Sequence, residues 1–169
     1  MMNIILVGFM GSGKSAVGHK LAEKLCLSYL DTDQLIEEAA GLSIKQIFAQ
    51  KGEQVFRDLE TEVLQKLQGS DGHVIATGGG MVLRRENVEL LRKLGPLVLL
   101  WAGPEVIFQR IKGQTHRPLL NVPDPLVEIK KILAGRKAVY DKVADLKVDT
   151  SKLNVAQAAE RIEQWLASK

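Results

Sequence analysis

The chain has 169 residues, of which 46% are hydrophobic and 25% charged, and its formal net charge is +3. This length and composition predict one globular domain, residues 1–169, and exclude a disordered chain. Lysine and arginine are interleaved with aspartate and glutamate, whereas nucleic-acid and membrane surfaces usually show clustered basic residues, so small anionic ligands are the better expectation.

The cysteine content and the hydropathy bear on where the protein works. Cys26 is the only cysteine, which excludes an internal disulfide and suits a reducing compartment. No apolar run approaches membrane-spanning length, and the N-terminus lacks the basic region of a signal peptide. We therefore expect a cytoplasmic protein. Because Cys26 lies between Leu25 and Leu27 at the end of a helical pattern, we expect its thiol to be buried.

A glycine-rich stretch near the N-terminus, GFMGSGKS at residues 8–15, lies between a strand-like run and a helical pattern. The apolar residues 3–7 predict a buried strand, and Val17, Leu21 and Leu25 recur as on one face of a helix. Strand, glycine-rich turn and helix are the context of a phosphate-binding loop, whose N–H groups and helix N-terminus favour negative charge. A flexible turn with a surface lysine is the alternative, which this context disfavours. The sequence thus predicts a nucleoside triphosphate site.

Specific roles follow for the residues of this loop. Lys14 supplies a mobile cation for the β- and γ-phosphate oxygens, and the Ser15 hydroxyl can ligate Mg²⁺. Lys14 is also expected to act in catalysis, because it offsets charge on the migrating phosphoryl group. The residues expected to bind the nucleotide phosphates are Gly11, Ser12, Gly13, Lys14, Ser15 and Ala16.

Strand-like and helix-like patterns alternate through the rest of the chain. Further short apolar runs predict strands at 27–31, 73–77, 97–101 and 146–149. Helical spacing, glycine breaks and N-caps predict helices at 34–40, 44–48, 55–67, 88–94, 104–111, 129–139 and 155–166. This alternation is typical of a parallel sheet, here five-stranded, with helices on both faces and ligands beyond the carboxyl ends of the strands.

Two acids, Asp31 and Asp33, follow the second predicted strand. In proteins with a phosphate-binding loop, a carboxylate at the end of a neighbouring strand normally helps to hold Mg²⁺. The third strand ends in Thr77 and glycine instead, so Asp31 is the best substitute, acting through a metal-bound water. Asp33 can accept the proton of a substrate hydroxyl or hold that hydroxyl in line. The alternative is that one acid caps the next helix, and capping needs only one of them.

Three consecutive glycines, Gly78, Gly79 and Gly80, follow the third predicted strand. They are costly in chain entropy unless the backbone must approach another group closely. Their N–H groups would suit a carboxylate or a hydroxyl of a substrate, and a loose turn is the alternative. With the loop at 8–15 and the two acids, they should share one crevice at the carboxyl ends of the strands.

Three arginines lie outside these motifs. By local pattern, Arg57 (with Glu60 three positions on) and Arg136 are surface residues of helices. Arg117 lies in a long polar connection, residues 112–125, from which a cation can close over phosphates. A basic surface loop is the alternative. The local pattern therefore favours a surface position for Arg57 and Arg136 and leaves the role of Arg117 open.

The motifs GFMGSGKS, LDTD, GEQVFRDLE, ATGGG, HRPLL and R-x-x-x-Y, in this order and spacing, resemble those of the shikimate kinases. The likeness runs from residue 3 to about residue 150. It implies a three-layer P-loop NTPase fold, like that of nucleoside-monophosphate kinases, with a five-stranded parallel sheet and a mobile lid. Within one domain, it implies a substrate-binding insertion at about 32–60 and the lid at about 112–125.

The same resemblance implies that the γ-phosphate of ATP is transferred to the 3-hydroxyl of shikimate, with Mg²⁺, in aromatic amino-acid biosynthesis. Asp33 would hold the shikimate hydroxyls. Arg57, Arg136 and the Gly79 backbone would hold shikimate, the arginines chiefly at its carboxylate. This role fits their chemistry, because a planar guanidinium pairs bidentately with a carboxylate.

On the nucleotide side, the resemblance implies that Arg117 is the lid arginine that reaches the ATP phosphates and that Arg110 packs by the adenine. Lys14, Asp33 and Arg117 are then the expected catalytic residues. The expected partners are ATP and shikimate alone, and members of the family are typically monomers. The likeness is weak at residues 150–154, so no nucleotide contact is assigned there.

Two alternatives differ from this interpretation. Another small-molecule P-loop kinase, such as a gluconate or nucleotide kinase, would share the donor site, but a nucleotide kinase needs extra cations for its second phosphate-bearing substrate. An acid paired with arginines suits a hydroxylated carboxylic acid better. A nucleotide-switch or ATP-dependent binding protein is more remote, because the sequence has no Asn-Lys-x-Asp motif for reading guanine.

Overall fold

The structure is a computed structural model that describes residues 2–114 and 121–169. Its centre is a sheet of five parallel strands in the order β2-β3-β1-β4-β5. The strands are β1 (Ile4–Val7), β2 (Ser28–Asp31), β3 (His73–Ala76), β4 (Leu97–Trp101) and β5 (Leu146–Asp149). The parallel sheet expected from the alternating sequence pattern is confirmed.

Helices connect the strands and cover both faces of the sheet. They are α1 (Lys14–Leu25), α2 (Thr32–Ala40), α3 (Ile44–Leu67), α4 (Arg85–Leu94), α5 (Pro104–Ile111), α6 (Pro125–Val143) and α7 (Val155–Ala167), with a 3-10 turn at Met81–Leu83. Gly52, with φ of 85°, interrupts α3, so the chain breaks where the sequence predicts it.

The core has two layers because successive strand residues point to opposite faces of the sheet. In β1, Ile5 and Val7 face the side covered by α3, α4, α5 and α6. Ile4 and Leu6 face the other side, where α1 and α7 pack. A smaller cluster joins α2 to α3. The three-layer arrangement therefore follows from apolar strands that are buried on both faces.

The strand order sets where a ligand can bind. β1 lies between β3 and β4, so the loop after β1 emerges at the centre of the sheet's carboxyl edge. Asp31, at the end of β2, is in register with Ala76, at the end of β3. The acids after β2 and the glycines after β3 are therefore neighbours, and they adjoin the crevice that open parallel sheets use for ligands.

The position of Cys26 corrects the expectation of a buried thiol. Cys26 is exposed and adopts a left-handed conformation, with φ of 54°, at the C-terminal cap of α1. Its N–H donates to the carbonyl oxygens of Ala22 and Glu23, as in a helix that ends in a tight reversal. The reversal turns the side chain to solvent despite the apolar neighbours.

Within the described part of the chain, no helix is both long and apolar enough to cross a membrane.

Candidate active site

The phosphate-binding loop is built from glycines that the backbone geometry requires. Gly13, with φ of 102°, is the N-cap of α1, and a side chain would be strained there. At Gly8 a Cβ atom would lie 2.4 Å from the carbonyl oxygen of Leu100 in β4, so the loop can pass the sheet only without a side chain. The loop therefore leads directly into the N-terminus of α1, where N–H groups and the helix dipole favour an anion.

Lys14 crosses the loop that precedes it. Its Nζ donates to the carbonyl oxygen of Gly8 at 2.6 Å and to that of Phe9 at 2.9 Å. Ser15 and Ala16 follow in the exposed first turn of α1. The ammonium group is thus held against the carbonyl groups of the loop, beside the N-terminus of α1.

The two acids after β2 have different surroundings. Asp31 is the N-cap of α2, and its Oδ1 accepts a hydrogen bond of 2.9 Å from the N–H of Asp33. The carboxylate of Asp33 instead faces the glycines: its Oδ1 lies 2.9 Å from the position a Cβ atom would take on Gly78. Thr32, between the two acids, accepts a hydrogen bond of 3.2 Å from the N–H of Gly78. Capping therefore uses Asp31 and leaves Asp33 directed into the crevice.

Arg57 and Arg136 each lie against a different glycine. Nη1 of Arg136 is 3.4 Å from the Cβ position of Gly79. Both terminal nitrogens of Arg57 are 2.7 Å from that of Gly80, so any side chain at Gly80 would collide with the guanidinium. Space rather than backbone conformation therefore explains Gly78 and Gly80, because charged groups occupy the volume that their side chains would fill, whereas a Cβ atom on Gly79 would make only an ordinary contact with Arg136.

Aromatic rings support both guanidinium groups. The Cζ atom of Arg57 lies 5.3 Å from the centre of the Phe56 ring, and that of Arg136 lies 5.6 Å from the centre of the Phe9 ring. These are cation–π distances, and the rings limit where the guanidinium groups can move. The arginines from α3 and α6 therefore converge on one glycine loop.

Glu60 of α3 belongs to this site, although the sequence identifies it only as a partner of Arg57. Its side chain is 0% exposed, and its Oε2 accepts a hydrogen bond of 2.8 Å from Nη1 of Arg57. Its Oε1 lies 3.1 Å from the Cβ position of Gly78, on the same side as the Asp33 carboxylate. Burial raises the pKa of Glu60, Arg57 opposes this, and Asp33 adds to it. Two carboxyl groups with different surroundings thus meet at Gly78.

The turn after β5 contains a residue that the sequence did not indicate, Thr150, which contacts the phosphate-binding loop. Arg110 donates from Nη1 to the carbonyl oxygen of Gly11 at 3.0 Å and from Nη2 to that of Thr150 at 2.7 Å. The Thr150 hydroxyl donates to the carbonyl oxygen of Ser12 at 2.6 Å. The feature of the sequence that could have identified Thr150 is its position at the carboxyl end of a predicted parallel strand. Arg117 lies outside the described residues, as do all of residues 115–120 within the lid expected at 112–125.

Known proteins resemble this chain closely. The family model described as shikimate kinase matches residues 10–167. A curated shikimate kinase of Pelotomaculum thermopropionicum is 48% identical over 166 residues, which are 98% of this chain and 96% of that protein. One of Thermodesulfovibrio yellowstonii is 46% identical over 162 residues, covering 96% of this chain and 93% of the relative.

The solved structures agree. A shikimate kinase from Acinetobacter baumannii in complex with shikimate superposes with a TM-score of 0.93 at 38% identity, over 99% of this chain and 94% of that one. The enzyme from Aquifex aeolicus gives a TM-score of 0.85 at 39% identity, over 99% and 97% of the two chains. The P-loop kinase fold expected from the sequence is confirmed, and this chain belongs to the shikimate kinase family.

Proposed function

We propose that this protein transfers the γ-phosphate of ATP to the 3-hydroxyl of shikimate, giving shikimate 3-phosphate and ADP. The observation that carries the proposal is that the glycine loop is lined by the Asp33 carboxylate and by two guanidinium groups, those of Arg57 and Arg136. A carboxylate accepts hydrogen bonds from hydroxyls, and two guanidinium groups can hold and orient one carboxylate. A hydroxylated carboxylic acid such as shikimate satisfies both, and membership of the family supports the same acceptor.

On the donor side, the loop of residues 11–16 binds the phosphates of ATP, chiefly through the backbone N–H groups at the N-terminus of α1. Lys14 moves from the carbonyl oxygens of its own loop, where two of its hydrogen bonds now lie, onto the β- and γ-phosphate oxygens. Arg110 packs beside the adenine, and Arg117 reaches the phosphates from the lid. These cations offset the charge of the phosphoryl group as it passes to the acceptor.

On the acceptor side, Asp33 holds the 3-hydroxyl in line with the γ-phosphate and accepts its proton as the new bond forms. Arg57 and Arg136 hold the carboxylate, with the N–H groups of residues 78–80 completing the pocket. Asp33 lies in the first turn of α2, two positions after the cap at Asp31, so the residues facing donor and acceptor are close together in the chain. This proximity supports in-line transfer, because both reacting groups are positioned from one rigid junction.

Ser15 and Asp31 are the residues that would hold Mg²⁺. Both influence the Tyr29 hydroxyl, whose pKa is raised chiefly by burial, lowered by Ser15 and raised further by Asp31, so both side chains lie near that hydroxyl. They are hard oxygen donors, and Mg²⁺ usually takes one or two carboxylates plus substrate phosphates rather than a cage of protein ligands. Capping of α2 uses only Oδ1 of Asp31. Bound there, Mg²⁺ would neutralise charge between the β- and γ-phosphates.

We also propose that the protein acts as a monomer in the cytoplasm. One chain supplies Lys14 for the donor and Asp33, Arg57 and Arg136 for the acceptor, so the site needs no residue from a second copy. Size-exclusion chromatography with light scattering, at the concentration used for assay, tests the oligomeric state directly.

A coupled assay of ADP release tests the proposed activity. The purified protein is given ATP and Mg²⁺ with shikimate, gluconate or nucleoside monophosphates as acceptor. Turnover is expected with shikimate, and ³¹P–¹H coupling in the product should place the phosphate on the oxygen at C3. No turnover with shikimate, or faster turnover with gluconate or a nucleotide, would overturn the proposal.

A further inference from the structure

The turn after β5 is joined to the phosphate-binding loop by a buried hydroxyl. Thr150 is 5% exposed, and its Oγ1 lies 2.6 Å from the carbonyl oxygen of Ser12, 138 positions earlier in the chain. The same oxygen is 3.2 Å from the carbonyl oxygen of Trp101. A hydroxyl has one proton to donate, so the shorter contact identifies Ser12 as its acceptor.

Arg110 fixes the direction of that proton. Its Nη1 donates both to Oγ1 of Thr150 and to the carbonyl oxygen of Gly11, each at 3.0 Å, and its Nη2 donates to the carbonyl oxygen of Thr150. Because the Thr150 oxygen accepts from a cation on one side, its own proton points to the other side, towards Ser12. Hydrogen bonds from charged donors are stronger than neutral ones and polarise the next bond in a chain.

Holding a carbonyl group in place also fixes the direction of the N–H group on the opposite side of the same peptide. A trans peptide is planar, so its carbonyl and N–H groups point in opposite directions. Holding the Ser12 carbonyl against Thr150 therefore directs the N–H of Gly13 the other way, at the N-cap of α1 where an anion would bind. The N–H of Ser12 is already used, since it donates to the carbonyl oxygen of Phe9 at 3.1 Å.

We propose that Thr150 is a positioning residue for phosphate binding. Together with Arg110, it holds the carbonyl groups of Gly11 and Ser12 outward, so that the Gly13 amide is presented to the nucleotide phosphates before any nucleotide binds. The proposal rests on the proposed use of this loop for ATP. It gives Arg110 a second role besides packing by the adenine, and it couples the end of β5 to the phosphate site.

The test compares two substitutions of Thr150 by calorimetry. Thr150→Val keeps the shape of the side chain and removes the hydroxyl, whereas Thr150→Ser keeps the hydroxyl. The probes are ADP with Mg²⁺, inorganic tripolyphosphate, and shikimate without nucleotide. Thr150→Val is expected to weaken the binding of ADP and of tripolyphosphate about tenfold, as for loss of a buried hydrogen bond. The affinity for shikimate should stay the same. Thr150→Ser is expected to bind both phosphates within about twofold of the wild type.

A matched control separates phosphate positioning from general stability. Thr61 is 6% exposed, and its hydroxyl lies 2.7 Å from Oδ1 of Asn87, outside the phosphate loop. Thr61→Val should lower Tm without weakening the binding of tripolyphosphate. If Thr150→Val does not fold, Arg110→Lys takes its place, because lysine keeps the charge but cannot bond Gly11 and Thr150 together.

Two results would overturn the proposal: wild-type affinity of Thr150→Val or its substitute for tripolyphosphate, or a loss in Thr150→Ser as large as that in Thr150→Val. The binding measurement is independent of the acceptor. Failure to phosphorylate shikimate would end the proposed function and leave this inference standing, provided that the loop binds ADP.

Discussion

The Tyr140 hydroxyl donates a hydrogen bond of 2.6 Å to the carbonyl oxygen of Gly79, 61 positions away in the chain. Tyr140 is completely buried on α6, one turn after Arg136. Burial raises the pKa of Tyr140, against the effect of Arg136, so the phenol is protonated and donates at neutral pH. Because the peptide is planar, this bond also sets the direction of the Gly80 N–H. One side chain therefore ties the helix that carries Arg136 to the glycine loop.

Removing the Tyr140 hydroxyl should affect the acceptor and not the donor. Tyr140→Phe keeps the ring in the core and frees the Gly79–Gly80 peptide. We expect the KM for shikimate to rise roughly fivefold, the worth of about one net hydrogen bond, with the KM for ATP unchanged. Steady-state kinetics with each substrate varied in turn would measure this. An unchanged KM for shikimate would mean that other contacts fix the peptide.

Substituting Asp33 should separate chemistry from nucleotide binding. Asp33→Asn keeps the size of the side chain and removes the proton acceptor, so turnover should fall by roughly 10²- to 10⁴-fold. ADP affinity, measured by calorimetry, should stay within about twofold because the donor site is untouched. Asp141→Asn is the control, since Asp141 forms exposed ion pairs with Lys137 and Lys147, and such pairs contribute little. Near-normal turnover of Asp33→Asn would remove Asp33 from catalysis.

Arg136 should be needed for its shape as well as its charge. Arg136→Lys keeps the charge but loses the planar fork, so the KM for shikimate should rise roughly 10- to 100-fold with little change in kcat. With the carboxamide analogue of shikimate, wild type and variant should differ far less, because the analogue lacks the charged partner. Lys137→Ala, at the exposed neighbouring position, is the control. Equal losses with shikimate and the carboxamide would place Arg136 away from the carboxylate.

What the sequence could predict was governed by distance along the chain. The strand, the glycine-rich loop and the start of α1 lie within a few consecutive residues, so hydrophobic period and glycine positions sufficed to identify them. Arg57 and Arg136 are different, because the local sequence of each indicates only a charged residue on the surface of a helix. Their surroundings come from Gly79 and Gly80, which the fold brings from another part of the chain. Only a resemblance covering all the motifs could supply that information.

The sequence also did not predict the surroundings of Glu60, Thr150 and Cys26, each for a different physical reason. Glu60 is an i+3 partner of Arg57, which is typical of a solvated ion pair, but in the fold its carboxyl group lies against Gly78 and is buried. Thr150 follows a short edge strand in a turn without a motif. Cys26 has apolar neighbours, but α1 ends there in a left-handed residue that faces solvent. Burial of single residues depends on such local reversals, which hydropathy does not record.

Glu60 should give stability a characteristic pH dependence. Burial raises the pKa of Glu60 above the ordinary 4.5. Arg57 and Arg84 lower this pKa, whereas Asp33 raises it further. Between 4.5 and the native pKa, the native state holds a proton that the unfolded state has lost. The contribution of this group to the free energy of unfolding is therefore fully present at low pH and declines as pH rises through the native pKa.

Urea unfolding of wild type and Glu60→Gln across a pH series would measure this contribution. The variant cannot titrate there, so the wild-type free energy of unfolding, minus that of the variant, should fall as pH rises above about 4.5. A difference that grows with pH would show that the pairing with Arg57 outweighs burial and lowers the pKa instead. The infrared carboxyl stretch, taken as wild type minus variant, reports the proton independently.

The fit between Gly80 and Arg57 predicts what a single methyl group would do. In Gly80→Ala the new Cβ atom would lie 2.7 Å from both terminal nitrogens of Arg57, so the guanidinium must move. Gly80 has φ of −97°, which alanine adopts without strain, so the effect should fall on the acceptor pocket and not on the backbone. We expect the KM for shikimate to rise by roughly tenfold or more, as for loss of a charge-assisted hydrogen bond, with ADP affinity unchanged.

Gly135→Ala is the matched control for this substitution. Gly135 lies within α6, beside Arg136, and a Cβ atom there would meet no other group within 4 Å. Alanine should therefore raise the free energy of unfolding by about 0.5–1 kcal/mol through its helix propensity, without changing the KM for shikimate. If Gly80→Ala and Gly135→Ala had the same kinetics, the guanidinium of Arg57 would not depend on the space that Gly80 leaves open.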